Sequence, residues 1–309
     1  MTRSSFYLFA STCMRDLHRA YWILLKVLVP ALIVVRLLEV AGAVAWLGES
    51  LRPVMGAVGL PGEAGLIWAA AMLTNIYTAL VVFYEIASGS GYSTAQVSTL
   101  ACLILLSHAL PVEGAVAKLI GVPWRVTLIL RIGGAVFLAW CVHLIYVETG
   151  WGSEASAMPW QPPPREDGWW AWGTHQAYLL MVIYVVLAAL IVFMRVLRSM
   201  GLERWLHSLL RPLTWLFQVD KDDAKVTLIG LLLGLSFGAG LLIDEAQKGH
   251  VSRRDMCLVV CFLGLCHSVI EDTLLILLMG PELWVVLWLR LLFGVAVTVL
   301  LARYLYVKS

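Results

Sequence analysis

The chain has 309 residues, of which 61% are hydrophobic and only 14% charged, against about 45–50% apolar and about 25% charged in a soluble globular domain. That balance excludes a soluble domain on a single anchor and predicts an all-α polytopic membrane protein whose first partner is the lipid bilayer. The net charge of +2 makes no case for nucleic acid, and the six cysteines, mostly inside apolar runs and without a CxxC pair, read as small buried hydrophobes rather than a disulfide or metal framework.

Residues 1–19 are polar and basic, with Arg3, Arg15, His18 and Arg19. No small-residue cleavage site follows, so the segment is expected to remain as a cytoplasmic N-terminal segment. Residues 20–148 then read as one unit. Its first apolar run, about 20–47, exceeds the roughly 20 residues that span a bilayer. An amphipathic turn or short helix ending in Arg52-Pro53 follows. The next apolar run is broken at its centre, over Met72-Leu-Thr-Asn-Ile-Tyr77. A fourth run, about 93–121, is broken at Ser107-His-Ala-Leu-Pro-Val-Glu113. The last, about 122–148, carries Arg131 near its middle.

The segment 149–173 is the long polar break. It holds Trp151, Trp160, Pro162-Pro-Pro164, Trp169-Trp170 and Trp172. Proline cannot continue a helix, and tryptophan favours the membrane–water interface. An external connector lying on the bilayer is expected, with a lid or partner surface as the alternative.

Residues 174–309 repeat the first unit at a constant offset of 159. Arg36 falls on Arg195, Trp46 on Trp205, Arg52-Pro53 on Arg211-Pro212, and Ser93 on Ser252. Further on, His108 meets His267, Glu113 meets Asp272, Gly121 meets Gly280 and Arg131 meets Arg290. Matched Trp, Arg, Pro and His at one offset identify an internal duplication. The second half's central break is Gly234-Leu-Ser-Phe-Gly-Ala-Gly240, and its histidine motif is Cys266-His-Ser-Val-Ile-Glu-Asp-Thr273.

Cytoplasmic loops are enriched in Lys and Arg, and this rule decides how the broken third run lies. If it is a re-entrant hairpin, each half crosses three times and the two halves are inverted. The N-terminus, Arg125, residues 195–225, Arg253-Arg254 and Arg303 then share the cytoplasmic side, while 49–63, 89–92, 149–173 and Pro281-Glu282 lie outside. A full crossing would put Lys248, Arg253 and Arg254 opposite the 195–225 cluster. The expected fold is therefore two inverted repeats, each of three transmembrane helices plus a re-entrant, broken hairpin. Both termini are expected in the cytoplasm, and the location is a bacterial inner membrane.

An ionisable residue within a membrane segment marks a functional site by default. Inverted-repeat transporters bind substrate near the midplane, where helices are discontinuous. The candidate substrate-binding residues are Asn75, Tyr77, His108, Glu113, Ser236, His267, Glu271 and Asp272. Two readings stay open for the acids. Ser268-x-x-Glu271 has the capping-box pattern, Pro111 suits a first helical turn, and Glu113 would cap in the same way; or the same groups line a polar pocket. Arg131 and Arg290 need carboxylate partners, with Glu113, Glu271 and Asp272 available, as a helix-locking ion pair or an anion site. Glu85, Asp244 and Glu245 read as solvated or capping groups at hairpin ends. Histidine titrates near neutral pH, so proton coupling is open. His267, Glu271 and Asp272 alone are too generic to name a metal, no cofactor is indicated, and no nucleophile–base pair suggests an enzyme.

The paired broken hairpins, Ser236-Phe-Gly-Ala-Gly240 followed by Leu-Leu-Ile-Asp-Glu245, and Cys266-His-Ser-Val-Ile-Glu-Asp-Thr273 resemble the nucleoside-recognition, or Gate, domain family. The resemblance covers about 36–148 and 195–307 as two Gate-like copies. Related domains occur in concentrative nucleoside transporters, Feo-type ferrous-iron transporters and spore-maturation membrane proteins. The resemblance implies a transporter-like inverted-repeat fold without implying nucleosides as substrate. With no GTPase domain or Walker A motif, an Feo-type coupled pump is not complete in this chain. The expected function is a secondary transporter-like protein for a small polar solute or ion at a central site. The alternatives are a non-transporting scaffold or assembly factor of the spore-maturation type and a divalent-metal permease. Each half is small with an apolar outer face, which leaves a homodimer open.

Overall fold

A computed structural model describes residues 3–87, 91–159, 168–200 and 252–307. Among them there is no strand; they form helices, six of which are long and apolar enough to cross a membrane, joined by turns and by the connector that begins at Gly150. The protein is an all-α, polytopic integral membrane protein. Helix α1 (Arg3–Val40) is followed by α2 (Ala43–Ala57), α3 (Ala64–Leu73), α4 (Ile76–Ala87), α5 (Thr94–Ser107) and α6 (Leu110–Ile120). Then come α7 (Trp124–Leu128), a wide π turn over Ile129–Gly133, and α8 (Gly134–Thr149). The second half has α9 (Trp169–Ser199), α10 (Arg253–Leu265), α11 (Val269–Ile276), a π turn over Trp284–Leu289 and α12 (Arg290–Val307).

Three boundaries differ from the sequence reading. The basic segment 1–19 is not separate, since α1 is helical from Arg3. The Arg52-Pro53 pair does not end its helix, because α2 continues to Ala57. Trp169, Trp170 and Trp172 belong to the first turns of α9 rather than to the connector. Leu, Met, Ala and aromatic residues carry the helix through all three places, and local polarity did not stop it. The second hairpin, Ser236, Arg211-Pro212, Asp244 and Glu245 lie outside the described residues.

The contacts define two sides. At the first, α5 begins beside the connector: Thr94 and Ala95 N–H donate to the Glu154 and Gly152 carbonyls at 3.0 and 2.9 Å. The end of the second histidine run lies there too. Ser156 Oγ donates toward the Met279 and Gly280 carbonyls at 3.2 and 3.0 Å, and Glu282 N–H donates to Ser98 Oγ at 2.9 Å. At the opposite side, Ala117 and Val122 from the end of the first run share a core with Met256 and Leu258 from the start of the second. The same run therefore points one way in the first half and the other way in the second. The opening helices agree: Asp16 pairs with Arg195 at 2.5 Å, while Arg36 lies over the Trp169 ring, so α1 and α9 are antiparallel. The repeats are inverted.

The first hairpin is re-entrant. Helices α3 and α4 have 10 and 12 residues, which at about 1.5 Å each reach little more than half of the roughly 30 Å hydrocarbon core. Both outer ends sit on the connector side. Gly59, ahead of α3, is pressed against the His143 ring; its positive φ and the absence of a side chain permit that approach. Burial and the nearby Glu63 carboxylate hold the Tyr92 hydroxyl above its usual range. At the far end of α4, Tyr84 Oη donates to the Leu278 carbonyl at 2.5 Å and Gln176 Nε2 to Glu85 Oε2 at 2.8 Å. Glu85 is thus half-buried and held by Gln176 of α9, not a freely solvated group.

The packing follows burial. The span 94–120 and its twin 253–279 form the interior, whereas 11–37, 124–149, 169–197 and 284–304 face outward. Exposed Trp22, Trp140, Trp170 and Trp288 suit a lipid-facing surface. All six cysteines are free.

Candidate functional site

The two interior runs break at the same place. Helix α5 ends at Ser107, His108 is extended, and Ala109 turns left-handed at φ 51° before α6 begins. In the second half Ser268 turns left-handed at φ 42° before α11. These are the two non-glycine residues of positive φ among the described residues, and such strained positions persist only where surrounding contacts hold them.

The open backbone ends are filled by arginine. Arg131 Nε donates to the Leu106 carbonyl at 2.9 Å and its Nη2 to that of His108 at 2.8 Å. Arg290 repeats this with Leu265 and His267 at 3.3 and 2.9 Å. Both arginines are 1% exposed, and each stands in or just after a π turn, a helix form frequent at functional sites. In lipid these carbonyls have no water to bond, so each guanidinium does the work of a missing helical turn.

The carboxylates complete the frame. Glu113 Oε2 receives Arg131 Nη1 at 2.5 Å. Asp272, one methylene shorter, stands 3.6 Å from Arg290 Nη2. Glu113 lies in the first turn of α6, and Glu271 and Asp272 in that of α11, where the helix dipole favours negative charge. Tyr77 Oη donates to Glu271 Oε1 at 3.3 Å, which brings α4 of the first half to the break of the second.

The histidines meet at the centre. His108 Nδ1 contacts the Ile104 carbonyl at 3.1 Å, and His267 Nδ1 the Leu263 carbonyl at 2.7 Å. A carbonyl only accepts, so each Nδ1 carries the proton and each Nε2 of a neutral ring is left with a lone pair. The two Nε2 atoms face each other at 3.2 Å. Glu113 Oε1 lies 3.0 Å from His267 Nε2 and 3.8 Å from His108 Nε2, while Asp272 Oδ2 is 3.9 Å from both.

Tyr77, His108, Glu113, His267, Glu271 and Asp272 are thus brought together, with Arg131 and Arg290 as their frame. Asn75 is diverted: its Oδ1 accepts the Thr78 amide at 2.9 Å and caps α4. The capping box expected at Ser268 does not form, since Ser268 makes no side-chain cap bond; its left-handed backbone departs from the extended conformation that a capping residue uses. Glu113 likewise pairs with Arg131 instead of capping. A true capping box forms at Ser93–Gln96, and Ser252 caps α10 through Asp255 N–H at 3.0 Å. Two supports of the first break escaped the sequence reading. Trp68 Nε1 donates to Ser107 Oγ at 2.8 Å, and Ala109 N–H to the Ala71 carbonyl at 2.9 Å. A Ser directly before the motif histidine was the available signal.

Among the described residues two cavities adjoin this centre. One of about 10 Å³ lies beside Glu113, Thr127, Arg131 and Gly264, about the space of one water. The other, about 140 Å³, is an apolar recess between α4, α9 and α11, lined by Tyr77, Leu80, Leu179, Ile183 and Leu275.

No family model matches the chain, and no solved structure matches it. It is 31% identical over 296 residues to the uncharacterized membrane protein YvoD of Bacillus subtilis (strain 168), covering 91% of this chain and 90% of that protein.

Proposed function

We propose, for a chain that belongs to the same family as the membrane protein YvoD, a transporter-like permease that passes a small ion at the centre between two inverted, Gate-like repeats. The observation that carries this is the meeting of His108 and His267, 159 residues apart, with Glu113 and Asp272 around them at two broken helices. Discontinuous helices at the midplane of inverted repeats are where secondary transporters hold their ions and solutes. Buried charge in lipid is costly, and a scaffold would be equally well served by apolar packing at this depth. The small cavity favours an ion over a nucleoside, because the protein's own side chains fill the polar centre. The placement is the bacterial cytoplasmic membrane with both termini inside, on the strength of Arg125, Arg195, Arg253 and Arg254 on the side opposite the connector.

The test is flux. The purified full chain in proteoliposomes is challenged with protons, monovalent and divalent cations, small anions and nucleosides, alongside a His267→Ala/Asp272→Asn double variant. Flux of an ion that is lost in the double variant is the expected result. Nucleoside flux would overturn the ionic part of the reading. No flux of any solute from a folded protein would overturn transport and leave the scaffold reading of the spore-maturation type.

A further inference from the structure

We propose that the central cluster is a binding site for a first-row divalent transition-metal ion, with His108 Nε2, His267 Nε2 and Glu113 Oε1 as ligands and Asp272 as the fourth. This deepens the permease reading and rests on the same centre. The first argument is the facing lone pairs. Both Nδ1 atoms face backbone carbonyls and act as donors, so in the neutral rings two acceptor nitrogens stand 3.2 Å apart, an arrangement that repels unless a proton or a metal cation lies between them.

The second argument is the third donor. The separations among the two nitrogens and Glu113 Oε1 are 3.0, 3.2 and 3.8 Å. Ligand atoms around a four-coordinate ion with bonds of about 2.0–2.1 Å are roughly 3.3 Å apart. Three donors at such spacings surround a common point, which a proton shared between two atoms does not require. All three residues are buried.

The fourth position has its own observation. Asp272 is 6% exposed, and its Oδ2 has no hydrogen-bond partner while lying 3.9 Å from both nitrogens. Moving toward the ion would satisfy it. The outer shell is also in place. Each imidazole is oriented by a carbonyl on its other nitrogen, and Arg131 holds the second oxygen of Glu113, the kind of support that metal-ligating side chains receive. Glu113 and Asp272 face Arg131 and Arg290, and Glu271, the neighbour of Asp272, receives the Tyr77 hydroxyl, so among the described residues of this centre carboxylates outnumber guanidiniums. Two imidazoles with carboxylates suit Zn²⁺, Fe²⁺, Co²⁺ or Mn²⁺ better than the thiolate-seeking Cu⁺ or the oxygen-seeking Mg²⁺ and Ca²⁺.

The experiment uses the full chain in detergent, freed of metal by a chelator. Co²⁺ is titrated and followed by its visible ligand-field bands, Zn²⁺ is then added as competitor, and bound metal is counted by elemental analysis. The expected result is one Co²⁺ per chain with a four-coordinate spectrum, displaced by Zn²⁺. His108→Gln and His267→Gln should each weaken binding by more than about tenfold, on the scale that even outer-shell changes reach. The melting temperature of each metal-free variant reports whether it still folds. A wild-type chain without ligand-field bands overturns the proposal whatever the variants do, and so does equal metal uptake by wild type and folded variants. Metal binding without any flux would sustain this site and remove the permease reading. Flux of another ion without metal binding would do the reverse.

Discussion

Arg131 and Arg290 make the same two backbone hydrogen bonds, each reaching 25 and 23 residues back to the carbonyls of a broken helix, yet they differ in their carboxylates. Arg131 meets Glu113 at 2.5 Å, whereas Asp272 stands 3.6 Å from Arg290, whose Nη1 is buried without a hydrogen-bond partner. The duplication is therefore exact in its frame and unequal in its charge contacts. Asp272 is one methylene shorter than its counterpart Glu113.

Asp272→Glu should close that gap. It would give Arg290 a charge-assisted bond with a net worth of about 1.5–3 kcal/mol and raise the melting temperature of the detergent-purified protein by a few degrees. The gain would come at the expense of the fourth metal ligand, so Co²⁺ binding should weaken. A variant that melts no later than the parent would show that position, not side-chain length, sets the asymmetry.

The same asymmetry ranks the arginines. Arg131→Met leaves Glu113 as an unpaired buried charge and should cost roughly 3–5 kcal/mol. Arg290→Met breaks a longer contact and should cost less, though both expose two helix-end carbonyls. Thermal unfolding of the two variants side by side checks the order, and an equal or inverted order would count against it.

Inversion predicts which ends touch. Ser98, near the start of the first interior run, accepts from the amide of Glu282, just past the end of the second. A Ser98→Cys/Glu282→Cys protein should form an intramolecular disulfide under mild oxidation, which keeps the two halves joined after cleavage at a protease site placed in the connector. Neither single variant should do so. Parallel repeats would place these residues on opposite membrane faces, and no cross-link would form.

Ala109 sits at φ 51° with its amide bonded to the Ala71 carbonyl. Left-handed backbone costs an L-residue roughly 1–2 kcal/mol, and glycine's greater unfolded-state freedom returns about 0.4–1 kcal/mol of that. Ala109→Gly should therefore be neutral to slightly stabilising, by up to about 1 kcal/mol. Ala109→Val, branched at Cβ, should destabilise by at least about 1 kcal/mol. Melting temperatures that fall equally for both would mean that side-chain size at this tip, not backbone strain, is decisive.

The sequence by itself determined the environment, the duplication and the positions of the breaks. Each of these is written locally. Apolar runs near the length of a bilayer, the constant offset of 159 between His108 and His267, and the punctuation around Pro111 and Ser268 need no partner to be read. The re-entrant hairpin was legible as well, because a sided distribution of Lys and Arg is a sum over loops and not a contact. What only the tertiary structure decided is which polar groups satisfy which. Asn75 was spent on the α4 amide, Ser268 was turned left-handed and lost its cap, and Glu113 went to Arg131 and the histidines. The physical reason is competition. Each buried donor or acceptor takes the best-placed partner in space, and in this fold the best-placed partner is often a whole repeat away along the chain.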